Sequence, residues 1–362
     1  MECGLRLWRF LTAVKGLRVQ CRVVSGLPAP RGGFAWLDSA EMIAGVGAGE
    51  IPAGAVVVCP ARAADHLAVA LLIASAGRGP EDAPSPGRCI AVVPGPPEFV
   101  IGYGAWWQLR PGKFRIELLV APPWRRRGAG SRLLGYVASR ARDAGAVTLQ
   151  ARAGSDDAQS LGFLLDRGFV ETMRMHRQVL EVADADLSGQ EQLVARLAGR
   201  GIVLASLEDE LARRQDCWQE YCRLFNAARQ GWPDPDPGPG PRAALAPAEF
   251  RRRYQAAEQQ YRPGAAAGFL AMRADRYVGL TGALGTAVDP AFRRQGIATV
   301  LKYRAVLSAR EHGVATLSTS SGNVAMLRAN ERLGFRLTST EVRLVRTFGA
   351  LEQKITESEL LD

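Results

Sequence analysis

The sequence predicts an α/β (α+β) protein made of two similar domains, each built from alternating strands and helices. The first observation behind this prediction is an internal repeat. A strand (apolar in the first copy), an arginine- and glycine-rich turn and an amphipathic helix follow one another twice, with the turns at residues 125–130 and 293–298. Each turn is followed about 40 residues later by a Gly-Phe pair. A repeat this long is a duplicated domain, because solenoid repeats are only about 20–50 residues long.

The second observation is the size and composition of the chain. It has 362 residues, of which 47% are hydrophobic, and this is enough for two packed cores. The formal net charge is +10, but the basic residues are almost all arginines, are scattered along the sequence, and form no nucleic-acid-binding motif. A nucleic-acid binder therefore stays an alternative that rests on charge alone, and we predict no nucleic-acid partner.

Cysteine and histidine content excludes further classes of protein. The six cysteines form no C-x-x-C pair and there are only three histidines, so no metal site is predicted. The sequence has neither a secretory signal nor an apolar run long enough to cross a membrane. We therefore expect a soluble, cytoplasmic protein with reduced thiols and no membrane partner.

The first domain is predicted over residues 51–182. Strands are expected at 56–59, 89–93, 100–107, 114–120, 147–151 and 169–180, and helices at 63–76 and 157–167. A further helix follows the first turn, because Leu133, Leu134, Val137 and Ala141 recur at helical spacing. Gly112 predicts a tight turn between the two central strands.

The second domain is predicted over residues 201–347 and repeats this order. Strands are expected at 202–205, 269–273, 277–280, 286–288, 315–319 and 335–347, and helices at 207–228, 247–261 and 323–333, with one more after the second turn. The two central strands span 99–120 in the first copy but only 276–288 in the second, about nine residues fewer. The central hairpin of the second domain is therefore predicted to be shortened or rearranged.

Four segments lie outside the two predicted domains. Residues 1–50 are predicted to be a flexible or partly strand-forming extension, although a transit peptide or a true start at Met42 would also fit. The charged residues 183–200 are predicted to be a linker. Prolines at every second position over 233–241 indicate a stiff segment that cannot join a sheet. Residues 348–362 are predicted to be a polar tail.

The repeated turn has the chemistry of anion binding. A glycine-rich turn that enters a helix leaves backbone N–H groups unpaired and aligned with the positive end of the helix dipole. Its glycines let the backbone approach a phosphate closely, and its arginines add bidentate donors. The turn lacks both the Gly-Lys-Ser/Thr ending of a Walker A loop and the G-x-G-x-x-G opening of a dinucleotide site. The pattern R-x-x-G-x-G/A therefore predicts a pyrophosphate site in each copy.

At these residues the chain resembles the GNAT superfamily of acyl-CoA-dependent N-acyltransferases. The family pattern R/Q-x-x-G-x-G/A is matched at 125–130 and at 293–298. A later family block, Asn-x-x-Ala/Met on a helix that ends in Leu-Gly-Phe, is matched in the second copy from Asn323 to Phe335, whereas the first copy has Asp157 at the Asn position. The resemblance implies two GNAT-like domains in tandem, each a twisted, mostly antiparallel sheet flanked by helices, with acetyl-CoA as the acyl donor.

The resemblance also implies which residues contact acetyl-CoA. Backbone groups of Leu119, Val120 and Val288 would contact the pantetheine arm. The turns would hold the pyrophosphate through Arg125, Arg126, Arg127, Gly128, Ala129, Gly130 and Ser131 in the first copy, and through Arg293, Arg294, Gln295, Gly296, Ile297 and Ala298 in the second. Asn323 is either a CoA contact or a helix N-cap. Asn330 either orients CoA or the substrate, or is a hydrogen-bonded buried amide.

Glu117 is the candidate catalytic residue. A carboxylate in the middle of a strand beside Ile116, Leu118 and Leu119 is costly to bury unless it is paired or hydrogen-bonded, and such a position is typical of a general base. The alternatives are an outward-facing side chain or a partner of Arg115 or Lys113. The tyrosine that serves as general acid in many family members is replaced here by Leu164 in the first copy and by Asn330 in the second.

The predicted function is transfer of an acyl group, acetyl in the first instance, from acetyl-CoA to a primary amine of a small molecule or peptide. The amine would attack directly, without a covalent enzyme intermediate. The complete central hairpin makes the first domain the candidate for catalysis. The alternative is a non-catalytic CoA-binding pair of domains, which the missing tyrosines favour. The sequence predicts neither the acceptor nor the oligomeric state.

Overall fold

A computed structural model describes residues 56–75, 87–93, 99–232, 243–261 and 265–349. The predictions made for residues 1–50, for the proline-rich segment from 233 and for the tail from 350 lie outside these ranges. The described residues form two compact units. The first contains the residues up to Trp107 together with Ile116–Ala144, and the second contains Gln108–Arg115 together with the residues from Gly145 onward. The division into domains at 51–182 and 201–347 stays a prediction.

The first unit contains a sheet with strands in the order β1-β2-β3-β4, in which β1, β2 and β3 are antiparallel neighbours. Its elements are β1 (Val57–Pro60), α1 (His66–Ser75), β2 (Gly87–Val93), β3 (Phe99–Arg110), β4 (Lys113–Val120) and α2 (Ala129–Asp143). The turn between β3 and β4, which the sequence predicts at Gly112, belongs to the other unit.

Helix α2 lies directly on strand β3, because two glycines remove the side chains that would separate them. A Cβ on Gly102 would lie 2.9 Å from Cδ1 of Leu133, and one on Gly104 would lie 2.9 Å from Cγ2 of Val137. Leu133 and Val137 are fully buried at this contact. The contact fixes the start of helix α2, and with it the first turn, against the sheet.

The second unit holds the other elements. They are β5 (Thr148–Gly154), α3 (Ala158–Leu165), β6 (Val170–Glu181), α4 (Gln190–Ala198), β7 (Ile202–Ser206), α5 (Leu207–Arg213), α6 (Cys217–Arg229), α7 (Pro247–Glu258), β8 (Phe269–Arg273), β9 (Arg276–Gly282), β10 (Gly285–Val288), α8 (Ile297–Glu311), β11 (Thr316–Ser321), α9 (Val324–Arg332) and β12 (Arg336–Thr347). Two differences from prediction stand out. The segment predicted to be a linker contains helix α4, and the mainly helical segment predicted over 207–228 forms two helices.

The two sequence repeats exchange strands within this unit. The strand order is β4-β5-β12-β6-β11, so the last strand of the second repeat lies between two strands of the first. Strand β12 is antiparallel to both β5 and β6, whereas the start of β4 is parallel to β5 over Lys113–Arg115 and Thr148–Gln150. The prediction of twisted, mostly antiparallel sheets flanked by helices is confirmed.

The second repeat also forms a separate antiparallel sheet, in the order β10-β9-β8-β7. Strands β9 and β10 make a short hairpin in which Gly282 pairs with Gly285. The predicted shortening of this hairpin is therefore confirmed. Strand β10 is at the edge of the sheet, and the next strand of the repeat, β11, pairs with β6 in the other sheet. Among the described residues, no helix is long and apolar enough to cross a membrane.

Candidate functional site

The first arginine- and glycine-rich turn leads from strand β4 into helix α2. A short 3-10 turn, Pro122–Trp124, follows the strand, and the Nε of Arg125 donates a hydrogen bond to the carbonyl of Val120 at 3.2 Å. Arg126 and Gly128 then adopt left-handed backbone conformations, with φ of 62° and 85°. Left-handed φ is unusual for arginine, so the surrounding turn must hold this conformation in place.

The second turn reproduces this geometry between strand β10 and helix α8. A 3-10 turn, Pro290–Phe292, again follows the strand, and the Nε of Arg293 donates to the carbonyl of Val288 at 3.4 Å. Arg294 and Gly296 have φ of 61° and 92°. The predicted repeat therefore extends to individual backbone angles and hydrogen bonds.

Both turns present backbone N–H groups at a helix N-terminus. The hydrogen-bond ladder of helix α2 starts with the N–H of Arg132, which donates to the carbonyl of Gly128 at 3.1 Å. In helix α8, the N–H of Val300 donates to Gly296 at 3.0 Å. The N–H groups before these positions point out of the helix start, where the dipole favours an anion. This geometry suits an anion, and the pyrophosphate site at each turn stays a prediction.

The two turns differ in the space beside their central glycine. Apart from its neighbours in the chain, no described residue has a side chain within 4 Å of the position that a Cβ on Gly128 would take, and Gly128 is exposed. A Cβ on Gly296 would lie only 2.6 Å from Cδ1 of Leu193, and Gly296 is half-buried. A ligand can therefore approach the backbone closely beside Gly128, whereas Leu193 blocks the corresponding side of Gly296.

The remaining first-copy candidates lie on strand β4. Glu117 is half-buried next to the buried Ile116, while Leu119 is buried and Val120 half-buried. Glu117, Leu119 and Val120 come directly before the first turn, in the same compact unit. The position matching Glu117 in the second copy is Gly285, so the second repeat has no carboxylate there.

Helix α9 places the two asparagines in different roles. The side chain of Asn323 accepts hydrogen bonds from the N–H groups of Ala325 at 2.9 Å and Met326 at 3.4 Å, which makes it the N-cap of the helix. Asp157 does the same for helix α3 by accepting from the N–H of Ser160 at 2.9 Å. The geometry of Asn323 therefore favours the N-cap alternative, and Asp157 at the matching position is an N-cap as well.

Asn330 is a fully buried amide. Its Nδ2 donates to Oε1 of Gln178 on strand β6 at 2.7 Å, and its Oδ1 has no hydrogen-bond partner among the described residues. The corresponding Leu164 is also buried. Neither side chain offers a hydroxyl that could protonate a leaving thiolate. The position of Asn330 favours the structural alternative over contact with CoA.

A buried lysine on helix α8 was not anticipated from the sequence. Lys302 is 9% exposed, and desolvation lowers the pKa of its ammonium group to about 8. Within the described part of the chain, its ammonium has neither an ion pair nor a hydrogen bond, and its Nζ lies 5.7 Å from the ring centroid of Phe335. The first copy has Leu134 at the matching position. Leu134 was the signal in the sequence, because an apolar residue at the matching position of the first copy indicates that Lys302 is buried.

With this geometry established, comparison with protein families assigns the chain to a class. The model of the acetyltransferase (GNAT) family matches residues 71–169 and 215–335, more than half of the sequence. The chain therefore belongs to the GNAT acetyltransferase family, and both repeats contribute to the match. No curated protein matches the sequence.

Solved structures with the same fold include proteins of similar length. A GCN5-related N-acetyltransferase from Sphaerobacter thermophilus is 15% identical with a TM-score of 0.60, covering 82% of this chain and 97% of that one. A tandem GNAT protein from the clavulanic acid biosynthesis pathway is 18% identical with a TM-score of 0.55, covering 81% and 99%. At these identities the likeness establishes the shared fold.

Proposed function

We propose that this protein transfers an acyl group, acetyl in the first instance, from acyl-CoA to the amine of a small molecule or peptide, and that the first repeat carries the reaction. The observation that carries the proposal is the first turn. It combines a helix N-terminus, the open left-handed Gly128, and the arginines 125–127 in one anion-binding segment. Membership of the GNAT family supports CoA as the source of that anion.

Each part of this segment has a distinct task in the proposal. The N–H groups of residues 128–131 and the arginines 125–127 hold the pyrophosphate. The phosphate can reach the backbone at Gly128 because glycine has no side chain and the space beside it is open. Backbone groups of Leu119 and Val120 orient the pantetheine arm. Acyl-CoA supplies a thioester carbonyl that is open to attack by an amine.

Glu117 is the proposed general base. It would accept a proton from the acceptor ammonium, directly or through water, so that the neutral amine attacks the thioester carbon. The amine nitrogen bonds to the acyl carbon and the carbon–sulfur bond breaks. The proton that the nitrogen loses as it becomes an amide passes to the sulfur through water, so that CoA leaves as a thiol. The glycine at the matching position of the second copy, Gly285, supports placing the reaction in the first.

A second candidate function is CoA binding without catalysis. The observation that favours it is the burial of Leu164 and Asn330, which replace the general-acid tyrosine of many family members. Release of free CoA thiol from acetyl-CoA, measured against a panel of primary amines, separates the two functions. Turnover with any amine supports the transferase, whereas tight CoA binding without turnover across the panel supports the second candidate.

The binding part of the proposal is tested at Gly128. We expect Gly128→Val to weaken CoA binding, measured by titration calorimetry, by at least about 30-fold, because the side chain fills the approach to the phosphate and strains a left-handed position. Gly145→Val is the matched control. Gly145 has a φ of 90° and equally open surroundings among the described residues, but lies at the other end of helix α2. Equal CoA affinity in both variants would contradict the proposal.

A further inference from the structure

The segment Val182–Arg200, which connects the two sequence repeats, lies along helix α8, and we call it the strap. It begins with a 3-10 turn, Val182–Asp184, and includes helix α4. Three of its parts contact helix α8 or the turn before it at positions seven residues apart, namely 310, 303 and 296. Residues seven apart lie on one face of a helix, so the strap follows a single stripe from the end of helix α8 to its start.

The far end of helix α8 anchors the strap through three carbonyls. The guanidinium of Arg310 donates hydrogen bonds to the carbonyls of Val182 at 3.1 Å, Ala183 at 3.4 Å and Ala185 at 3.2 Å. Two turns earlier, the hydroxyl of Tyr303 donates to the carbonyl of Ser188 at 3.1 Å. These contacts hold the strap against the helix before it reaches the second turn.

The near end of the strap meets the second turn itself. Cδ1 of Leu193 takes the space beside Gly296, 2.6 Å from where a Cβ would lie. The guanidinium of Arg200 donates to Oε1 of Gln295 at 3.3 Å. Leu197 is 1% exposed and lies in the same hydrophobic cluster as Ile297, so helix α4 is part of the core at this point.

The arginine of the second turn is also occupied within the chain. Besides the bond from its Nε to Val288, Arg293 donates through Nη2 to the carbonyl of Ala228 at 3.4 Å, and both of its Nη atoms lie beside Gly231. A guanidinium that already binds protein carbonyls has fewer donors left for a phosphate. The second turn thus keeps the backbone geometry of an anion site, while the protein fills the space beside Gly296 and occupies part of the Arg293 guanidinium.

We propose that the second turn is a latent acyl-CoA site closed by the strap, so that the protein binds one CoA per chain, at the first turn. This inference rests on the proposed function, which assigns CoA to the first turn. Leu193 is the closing residue, because it takes the space that a phosphate needs beside Gly296. The duplicated turn then serves to fasten the connecting segment to the second repeat.

Titration calorimetry of the full chain with CoA tests the inference. Wild type is expected to bind one CoA per chain. Leu193→Ala is expected to bind a second, which survives in Leu193→Ala/Gly128→Val and is lost in Leu193→Ala/Gly296→Val. If each wild-type chain binds two CoA, or if folded Leu193→Ala binds only one, the proposal that the strap closes the second turn is wrong. No CoA bound by wild type overturns instead the proposed function on which the inference rests.

Hydrogen–deuterium exchange on the wild type gives a test that needs no variant, should Leu193→Ala fail to fold. At saturating CoA, the amides of residues 126–131 are expected to become protected, while those of 294–299 keep their exchange rates. Protection of 294–299 by CoA would overturn the closed state of the second turn. Protection there alone, with 126–131 unchanged, would reverse the assignment of the two turns.

Discussion

Replacing Lys302 by methionine is expected to stabilise the protein at neutral pH. The side chain is 9% exposed and its ammonium has no ion pair in the described part of the chain, so folding removes a charge from water with little in return. Burial lowers the pKa from 10.5 to about 8, which corresponds to about 3 kcal/mol below pH 8. The contact with the ring of Phe335 returns at most about 1 kcal/mol. We therefore expect Lys302→Met to gain about 2 kcal/mol at pH 7.

The sign of the pH dependence follows from the lowered pKa of Lys302. Below pH 8 the lysine is protonated in both folded and unfolded states, and the cost of burying the charge is complete. Between pH 8 and pH 10.5 the unfolded state still binds the proton while the folded state has lost it, so the wild type becomes more stable as the pH rises. The advantage of Lys302→Met should therefore shrink to less than about 1 kcal/mol at pH 10.

Urea denaturation of wild type and Lys302→Met at pH 7 and pH 10 measures this difference. Other titratable groups contribute equally to the free energy of unfolding of both proteins, so their contributions cancel in the difference. Arg304→Met is the control, because Arg304 is exposed on the same helix and its replacement should change stability by less than about 0.5 kcal/mol. A variant that is no more stable than wild type at pH 7, or equally stabilised at both pH values, would refute the reasoning.

Three further predictions follow from the contacts described above. Glu117→Gln should lower the rate of CoA thiol release at neutral pH by about 100-fold while CoA affinity is unchanged, and an unaltered rate would remove Glu117 from the reaction. Asn330→Leu should destabilise the fold by about 1–3 kcal/mol in urea denaturation, because it leaves the buried Oε1 of Gln178 without its donor, and a second change, Gln178→Leu, should restore most of the loss. A chain ending at residue 337 should lose the cooperative thermal unfolding of one ending at 349, since only the longer of the two contains the whole of β12.

The sequence predicted the local structure of the candidate site well, because the site is built from short-range signals. The turns at 125–130 and 293–298 depend on residues next to one another, and strands β4 and β10 end directly before those turns. Helix α4 was missed because the charged composition of residues 183–200 masked Leu193 and Leu197, which contact the second turn and the core. The break between helices α5 and α6 was not predicted, because the residues on both sides of it favour helix and only the polar residues 214–216 separate them.

Other features depend on tertiary structure and leave little trace in a single sequence. Nothing in the periodicity of residues 336–347 says that this strand lies between β5 and β6, because hydrophobic alternation gives the faces of a strand and not its neighbours. The burial of Lys302 became apparent only in the folded protein, although comparison with Leu134 pointed to it. Leu193 beside Gly296 is likewise a contact between segments about 100 residues apart.

The placement of strand β12 has a consequence for synthesis on the ribosome. Strand β5 emerges about 190 residues before its neighbour β12, which corresponds to a delay of about 10–40 s at ordinary elongation rates. During that interval β5 and β6 are both available, and they can pair with each other in an arrangement that the final strand must then separate. Where they do not pair with each other, β5 and β6 keep the edges that β12 will occupy unpaired for all of that time, and an unpaired strand edge can pair with a neighbouring nascent chain.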